Sequence, residues 1–290
     1  MSVPNGTRPT ALLTIIADAL NTDPSEAVLV RHHGTQVWHL PSINAIVRVS
    51  PARHTQAAAR SVAITRWLHE RAVPVTEPLT DRLFEGDGWT ATVWRYYSQP
   101  TDRHPTPADL GGLLSTLHQA GTPAIELPEF TPLRSLRTTL NRTSTLPDHI
   151  VEGLHGRIDA LLDSYSDLHF TLGRGLIHGD AWLGNVLFDG HRPLLGDWDE
   201  CAKGPRELDL ANLWQGQRFG RTRAELDAFS AAYGHDLSEW DGLDVLVRIR
   251  DLHTLGSYVR AADRGDEGAR AQLLHRLSTL DDRSAVWTSR

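Results

Sequence analysis

The sequence predicts an α+β chain of two lobes, with an antiparallel β-sheet in the N-terminal third and a larger, mainly helical remainder. Three observations predict it. Short apolar runs bounded by Gly, Pro, Asn and Ser fill residues 26–97, leucines recur at helical spacing from residue 107, and one irregular stretch at 171–204 is dense in Asp, His and Gly. The 290 residues suit one large domain or two lobes, at roughly 100–200 residues per domain. With 40% hydrophobic and 22% charged residues, the composition is globular rather than disordered or collagen-like.

Taken in order, residues 1–24 read as a helix carrying Leu12, Leu13, Ile16 and Leu20, followed by a turn from Asn21 to Pro24. Runs at 27–31, 37–40 and 45–49, separated by His33-Gly34-Thr35 and by Pro41-Ser42-Ile43-Asn44, form an antiparallel meander. A helix follows over about 54–71, with Ala58, Val62, Thr65 and Leu68 near one face. A strand is expected at 73–79, and 82–84 faces 89–97 across Glu85-Gly86-Asp87-Gly88, a hairpin signal. The lobe boundary falls in the polar, proline-rich 98–106 segment, giving lobes of 1–97 and 107–290. There Thr106 caps a helix, Pro107 suits its first position, and Leu110, Leu113, Leu114 and Leu117 share a face. A second helix is expected over 150–162, and the chain after 205 reads as helices.

Several classes of partner are disfavoured. A net charge of −7 makes a poor polyanion binder, so no nucleic-acid partner is expected. No apolar stretch approaches the roughly 20 residues of a membrane span, and the run at 11–16 is stopped by Asp18 without a basic leader. One cysteine, Cys201, excludes an internal disulfide framework, so the expected setting is cytoplasmic. The sequence holds one lysine, Lys203; the other 28 of its 29 basic residues are arginine.

The chemistry concentrates in the irregular stretch. An apolar run delivers His178 and Asp180 into a loop, and Asn185 lies five residues after Asp180. Segments 186–188 and 193–195 form a tight hairpin around Asp189-Gly190. Asp197 sits just past it, 12 residues after Asn185. A hairpin brings its ends together, so Asn185 and Asp197 can share a site, and two oxygen ligands with waters and phosphate oxygens are what Mg2+ accepts. Asp180 then orients a hydroxyl and receives its proton. The alternative is a buried polar turn whose side chains satisfy backbone groups.

An H-x-D-x-x-x-x-N loop followed by an Asp after a hairpin resembles the catalytic and metal loops of protein kinases. The form His178-Gly179-Asp180 with Asp197-Trp198-Asp199 resembles the small-molecule branch, the aminoglycoside phosphotransferases and their choline-kinase-like relatives. The run from Gly204 to Ala211 and the helix ending Leu117-His118 also look like that family. The resemblance implies a two-lobed protein-kinase-like fold and transfer of the γ-phosphoryl of ATP or GTP, with Mg2+, to a hydroxyl of a small molecule. It makes Asp180 the catalytic aspartate and Asn185 and Asp197 the metal ligands. His178 and Asp209 support the loop. It also implies that donor phosphates lie at the His33–Gln36 loop, with Gly34 and Thr35, and that the backbone of Arg95, Tyr96 and Tyr97 meets the base.

The chain departs from the family pattern at the donor phosphates. Kinase-like folds use a lysine on the third strand, paired with a helix glutamate. The matching strand here offers Arg48, whose planar fork can grip phosphate bidentately. No acidic residue occurs between 49 and 69, and Ser61 stands near the place of the glutamate. Arg48 is left to Asp197, to hydroxyls, or to the nucleotide alone. For the acceptor, residues 196–290 hold four more acidic than basic residues, which permits a cationic acceptor without demanding one. Candidate contacts are Asp199, Glu200, Arg248, Asp251, Asp263 and Glu267. The expected acceptor is a small hydroxylated molecule, with an antibiotic (aminoglycoside, nucleoside or similar) favoured. A metabolic kinase and a catalytically silent kinase-like binding module are the rival readings.

Overall fold

A computed structural model describes residues 10–33 and 35–288. In chain order its helices and strands begin α1 Thr10–Leu20, β1 Val28–His33, β2 Thr35–Leu40, β3 Ala45–Pro51, α2 Thr55–His69, β4 Phe84–Gly86, β5 Trp89–Arg95 and α3 Pro107–Gln119. They continue α4 Arg134–Leu140, α5 Asp148–Ser166, β6 Arg174–Ile177, β7 Val186–Asp189, β8 Arg192–Leu195 and β9 Ala202–Pro205. The last four are α6 Glu207–Trp214, α7 Arg223–Tyr233, α8 Leu243–Ala262 and α9 Glu267–Ser278. Contacts divide the chain into two compact units. The first holds the chain up to Pro105 with Gln119–Leu127 and Gly184–Cys201; the second holds Thr106–His118, Pro128–Leu183 and the chain from Ala202. The β7–β8 hairpin, which follows β6 in sequence, is thus grouped with the first unit.

The first unit is built on a five-stranded antiparallel sheet of order β1-β2-β3-β5-β4. Alternation along β2 and β3 buries Trp38, Leu40, Ala45, Val47 and Val49 with Leu12, Leu13 and Ile16 of α1. The same alternation turns Arg48 to the opposite face, in register with Val37 and Thr92. Strand β5, flanked by β3 and the short edge strand β4, is buried along nearly its whole length, as a strand covered on both faces must be. Its hairpin to β4 turns on Asp87 and Gly88, both at positive φ (52° and 80°), the type I′ geometry that the Asp-Gly pair favours. Helix α2 buries Ser61, Val62, Ile64, Thr65 and Leu68.

The strand expected at 73–79 does not form as a continuous ladder. Pro74 and Pro78 lack amide donors. Only single bridges remain, Val75 to Leu195 and Pro78 to Trp94. Thr76 N–H donates to the Leu195 carbonyl (3.1 Å) and Leu195 N–H to the Pro74 carbonyl (3.0 Å), which fastens the β7–β8 hairpin within this unit.

In the second unit, Thr106 caps α3 as expected. Its hydroxyl accepts from the Asp109 N–H (3.2 Å) while the Asp109 carboxylate accepts from the Thr106 N–H (3.0 Å). The leucines predicted to share a face, Leu110, Leu113, Leu114 and Leu117, are all buried. Gly111 lets α3 approach α7, since a Cβ there would lie 2.5 Å from the Phe229 carbonyl oxygen. Helices α4, α5, α6, α8 and α9 enclose one core that includes Leu136, Leu154, Ile158, Leu208, Leu246, Leu255 and Leu273. Strands β6 and β9 pair antiparallel and frame the entry to α6, every residue of which is buried. The seven-residue α4 was not anticipated: with two buried leucines, Leu136 and Leu140, it is too short to display a helical period. Among the described residues, no helix is long and apolar enough to cross a membrane.

Candidate active site

In the second unit, β6 ends at Ile177 and the chain enters the His178-Gly179-Asp180 loop. Gly179 takes φ 83°, a left-handed conformation that disfavours a side chain. Asp209, in the first turn of α6, organises the loop. One of its oxygens accepts from the His178 N–H (2.8 Å), the other from the Gly179 N–H (2.8 Å), and His118 Nε2 lies 3.1 Å from the first. His118 Nδ1 in turn meets the Tyr233 hydroxyl at 2.9 Å. Asp209 is fully buried, and burial by itself pushes its carboxyl up; the bond and charge of His118, with His178, outweigh this and hold it below the ordinary range. The Asp180 N–H donates to His178 Nδ1 (3.3 Å), so that nitrogen is unprotonated, and the fully buried ring braces the loop from within.

The Asp180 carboxylate accepts from Arg250 of α8 at 2.5 Å. On this helix the sequence offers Arg248 among the candidate acceptor contacts and does not single out Arg250. Two residues apart on one helix face different ways: Arg248 pairs with Asp244 (2.7 Å) while Arg250 is largely buried on Asp180. Nothing in the local sequence separates the two arginines without knowing which side of α8 is inward.

In the first unit, Gly196 N–H donates to the Asn185 carbonyl (2.9 Å), closing the base of the β7–β8 hairpin between Asn185 and Asp197. Asp197 sits at φ 62°, and the Trp198 indole N–H donates to the Leu195 carbonyl (3.0 Å), fixing the turn Trp198–Glu200. One nitrogen of Arg48 donates to both Asp197 (2.7 Å) and Asp199 (2.8 Å). The second Asp199 oxygen accepts from the Ser61 hydroxyl of α2 (3.2 Å). Arg48 is therefore held by two carboxylates of the post-hairpin turn, and the helix contributes only a hydroxyl. Asn185 is buried and Asp197 half-exposed, and together they offer an amide oxygen and a carboxylate, the hard-oxygen donors that suit Mg2+. Among the described residues no cluster of three or more His, Cys, Asp or Glu could hold a metal, so such an ion needs further oxygens from its ligand.

The other expected positions differ in what they offer. Gly34 lies outside the described residues. Thr35 opens β2 opposite His33. The N–H groups of Arg95 and Tyr96 donate to the Glu77 and Asn44 carbonyls (2.9 and 3.0 Å), so neither of these donors is the one that would meet a base. The Tyr96 ring stacks on His39 at 4.1 Å, and the Tyr97 hydroxyl accepts from the Glu77 N–H (3.1 Å). Asp199 serves Arg48, and Glu200 is exposed beside it. The acceptor contacts expected on the later helices gain no support from their placement. Asp251 is 2% exposed and bound to Arg218 (3.1 Å) and Gln215 (3.1 Å), and Asp263 gathers the hydroxyls of Thr143 and Thr145 (2.8 and 2.6 Å). Glu267 lies exposed in the first turn of α9.

A family model described as the phosphotransferase enzyme family matches residues 30–246. No curated protein matches the chain. Among solved structures, an amicoumacin kinase in complex with AMP-PNP, Ca2+ and Ami has a TM-score of 0.76 at 14% identity, over 96% of this chain and 95% of that one. A choline/ethanolamine kinase family protein from Mesorhizobium loti gives 0.63 at 16% identity, over 93% and 94%. An aminoglycoside phosphotransferase from Streptomyces rimosus, in complex with ADP and streptomycin, gives 0.62 at 17% identity, over 84% and 97%. These likenesses show a shared kinase-like α+β fold, the class expected from the sequence.

Asp209→Asn tests the loop's anchor. The buried carboxylate accepts three hydrogen bonds, each contributing roughly 1.5–3 kcal/mol to a charged acceptor, so losing its charge and one acceptor oxygen should lower the urea midpoint at neutral pH. The carboxyl lies below its ordinary value of 3.8 in the folded chain, so its contribution is fully present above 3.8 and lost as pH drops through the folded value. The wild-type advantage should stay constant down to about pH 5 and shrink below about pH 4. Equal midpoints at neutral pH would remove Asp209 from this role.

Proposed function

The chain belongs to the phosphotransferase enzyme family, and from that premise we propose that it moves the γ-phosphoryl of ATP or GTP onto a hydroxyl of a small molecule. The observation that carries the reading is local to the first unit. Asp197 is bonded to Arg48 and tied through the Gly196 amide to Asn185, so a pair of hard oxygen donors adjoins a cation suited to phosphate. In this reading Asn185 and Asp197 hold Mg2+ together with the donor phosphates, and the ion supplies charge neutralisation of the transferring group. Arg48 grips the donor phosphates. Asp180 accepts the proton of the acceptor hydroxyl as its oxygen bonds to the γ-phosphorus and the bridging bond to the β-phosphate breaks, releasing the nucleoside diphosphate. His178 and Asp209 hold the loop that presents Asp180. Positioning and charge neutralisation are what these residues contribute to rate.

The donor groups fall to residues 1–97 with the 184–201 segment, the acceptor groups to the helices after the 98–106 connector. A cytoplasmic setting belongs to the same proposal. For the acceptor, an antibiotic is the first class to test, since streptomycin, spectinomycin and hygromycin B appear with similar structures. The choline/ethanolamine kinase likeness keeps a metabolic alcohol as the second reading. Growth of a host carrying the gene on a panel of antibiotics separates the two.

Asp180→Asn should keep nucleotide binding and lose transfer by about 10²-fold or more, the range for a positioned general base. Full transfer in that variant would exclude Asp180 from the chemistry.

Arg48 supplies a second test, because its partners lie where the family pattern does not put them. Asp199→Ala should raise the donor KM about tenfold or more, given roughly 1.5–3 kcal/mol per charge-assisted bond, and leave the acceptor KM unchanged. Returning the carboxylate to α2 in the double variant Ser61→Glu, Asp199→Ala should recover part of the loss. An unchanged donor KM in Asp199→Ala, or no recovery in a double variant that folds, would show that Asp199 does not orient Arg48.

A further inference from the structure

The anchors of the His178-Gly179-Asp180 loop hold its backbone. Asp209 accepts from the amides of His178 and Gly179, and His178 Nδ1 accepts from the amide of Asp180. None of these bonds involves the Asp180 carboxylate, whose side chain is 33% exposed. A partly exposed carboxylate on a loop turns among its rotamers unless a partner holds it. Arg250 is such a partner. Its Nη2 donates to Asp180 Oδ1 at 2.5 Å, and its own side chain is only 14% exposed. Charge-assisted bonds of this kind are short and strong. Among the described residues Arg250 makes no other hydrogen bond or ion pair.

The guanidinium is itself presented from a fixed base. The next residue along α8, Asp251, is buried and accepts from Gln215 (3.1 Å) and twice from Arg218 (3.2 and 3.1 Å) in the turn after α6. Those bonds, with Leu252, Leu255 and Val259 in the core, set the rotation of the helix. Consecutive side chains stand about 100° apart around a helix, so fixing Asp251 also fixes the direction in which Arg250 leaves it. Stability alone does not account for an arginine here. Arg250 Nε is buried without a hydrogen-bond partner, and a buried ion pair is often no more stabilising than apolar side chains of similar volume.

We propose that Arg250 is the positioning residue for Asp180, holding the carboxylate in the rotamer that receives the acceptor hydroxyl. The inference rests on the phosphotransferase reading and adds a residue to it. Asp209 sets the course of the loop; Arg250 sets where its carboxylate points. No proton passes through the guanidinium, which stays charged throughout. The donor groups Arg48, Asn185 and Asp197 belong to the other unit, so donor binding does not depend on Arg250.

Two measurements on the full chain test this, one without substrates and one with them. In the first, NMR of the Arg250 side-chain nitrogens, assigned by their loss in Arg250→Lys, should show hindered rotation of the guanidinium in the wild type and free rotation in Asp180→Ala. In the second, phosphomonoester formation is followed with ATP, Mg2+ and a mixture of streptomycin, hygromycin B, choline and ethanolamine. Arg250→Met keeps an unbranched apolar stem and removes the charge. It should lower the apparent kcat roughly tenfold to a hundredfold, as a small misplacement of a catalytic group does, and leave the donor KM unchanged. Arg250→Lys, which restores one charged donor without the planar fork, should recover part of the loss. In an Asp180→Ala background Arg250→Met should lower the residual rate no further, because a positioning residue acts through the group it holds. Should Arg250→Met fail to fold, Arg250→Leu takes its place. An unchanged kcat in a folded Arg250 variant, a loss carried by the donor KM, an equal further loss in the Asp180→Ala background, or a freely rotating guanidinium in the wild type would overturn the proposal. The two readings fail differently. A held guanidinium with no transfer to any acceptor would remove the phosphotransferase reading, and the proposal with it. Transfer indifferent to Arg250 would remove the proposal alone.

Discussion

A single buried carboxylate, Asp209, sets the geometry on which the chemical loop depends. An isolated carboxylate cannot be fully buried without compensation, because losing its hydration costs far more than one hydrogen bond returns. Here it is surrounded by three donors from two parts of the chain: the amides of His178 and Gly179 in the loop, and the ring of His118 at the end of α3. Its place in the first turn of α6, where the helix dipole favours negative charge, adds to the same balance. The consequence runs outward. Gly179 must take a left-handed conformation for its amide to reach Asp209, and that bend delivers Asp180 at the end of the loop. His118 stays oriented because Tyr233 holds its other nitrogen, so α3 and α7 also depend on this one charge. The close approach of those two helices at Gly111 is then part of the support of the site, not only of the core.

The first unit solves a comparable problem with different residues. The cation on β3, Arg48, is held from outside its neighbouring helix, because α2 carries no acidic residue. The turn after the β7–β8 hairpin supplies two carboxylates in place of one, and Ser61 on the helix orients the second. Arginine suits this arrangement better than lysine would. Its planar fork keeps further donors directed elsewhere while one nitrogen serves both aspartates. The absence of lysine from the N-terminal half and the absence of a helix glutamate are thus two aspects of one rearranged charge pair.

What could be read in the sequence follows from how local each signal is. The Asp87-Gly88 hairpin, the cap at Thr106 and the leucine face of α3 were legible because each depends on residues within a turn or two. So was the ordered series His178, Asp180, Asn185, Asp197, whose spacing is set by one loop and one hairpin. The extended segment at 73–79 was misjudged because its prolines limit it to single bridges, and its pairing partner Leu195 lies far along the chain. The partners of Arg48 were left open for the same reason: 149 and 151 residues separate it from Asp197 and Asp199. Arg250 was invisible because only the packing of α8 decides which of two nearby arginines turns inward. The acidic residues assigned to the acceptor on charge alone proved to be structural carboxylates in the cases of Asp251 and Asp263, since net charge does not say which side chains already have partners.

The most direct measurement of the central claim is the phosphorus NMR spectrum of ATP or GTP and Mg2+ incubated with the protein and a mixture of hydroxylated small molecules. The account predicts that the γ-phosphate resonance declines as the nucleoside diphosphate and a new phosphomonoester resonance rise in equal amounts, and that no phosphomonoester forms when the acceptors are left out. Release of inorganic phosphate alone at the same rate with or without acceptors, or an unchanged nucleotide spectrum across a broad acceptor mixture, would contradict it.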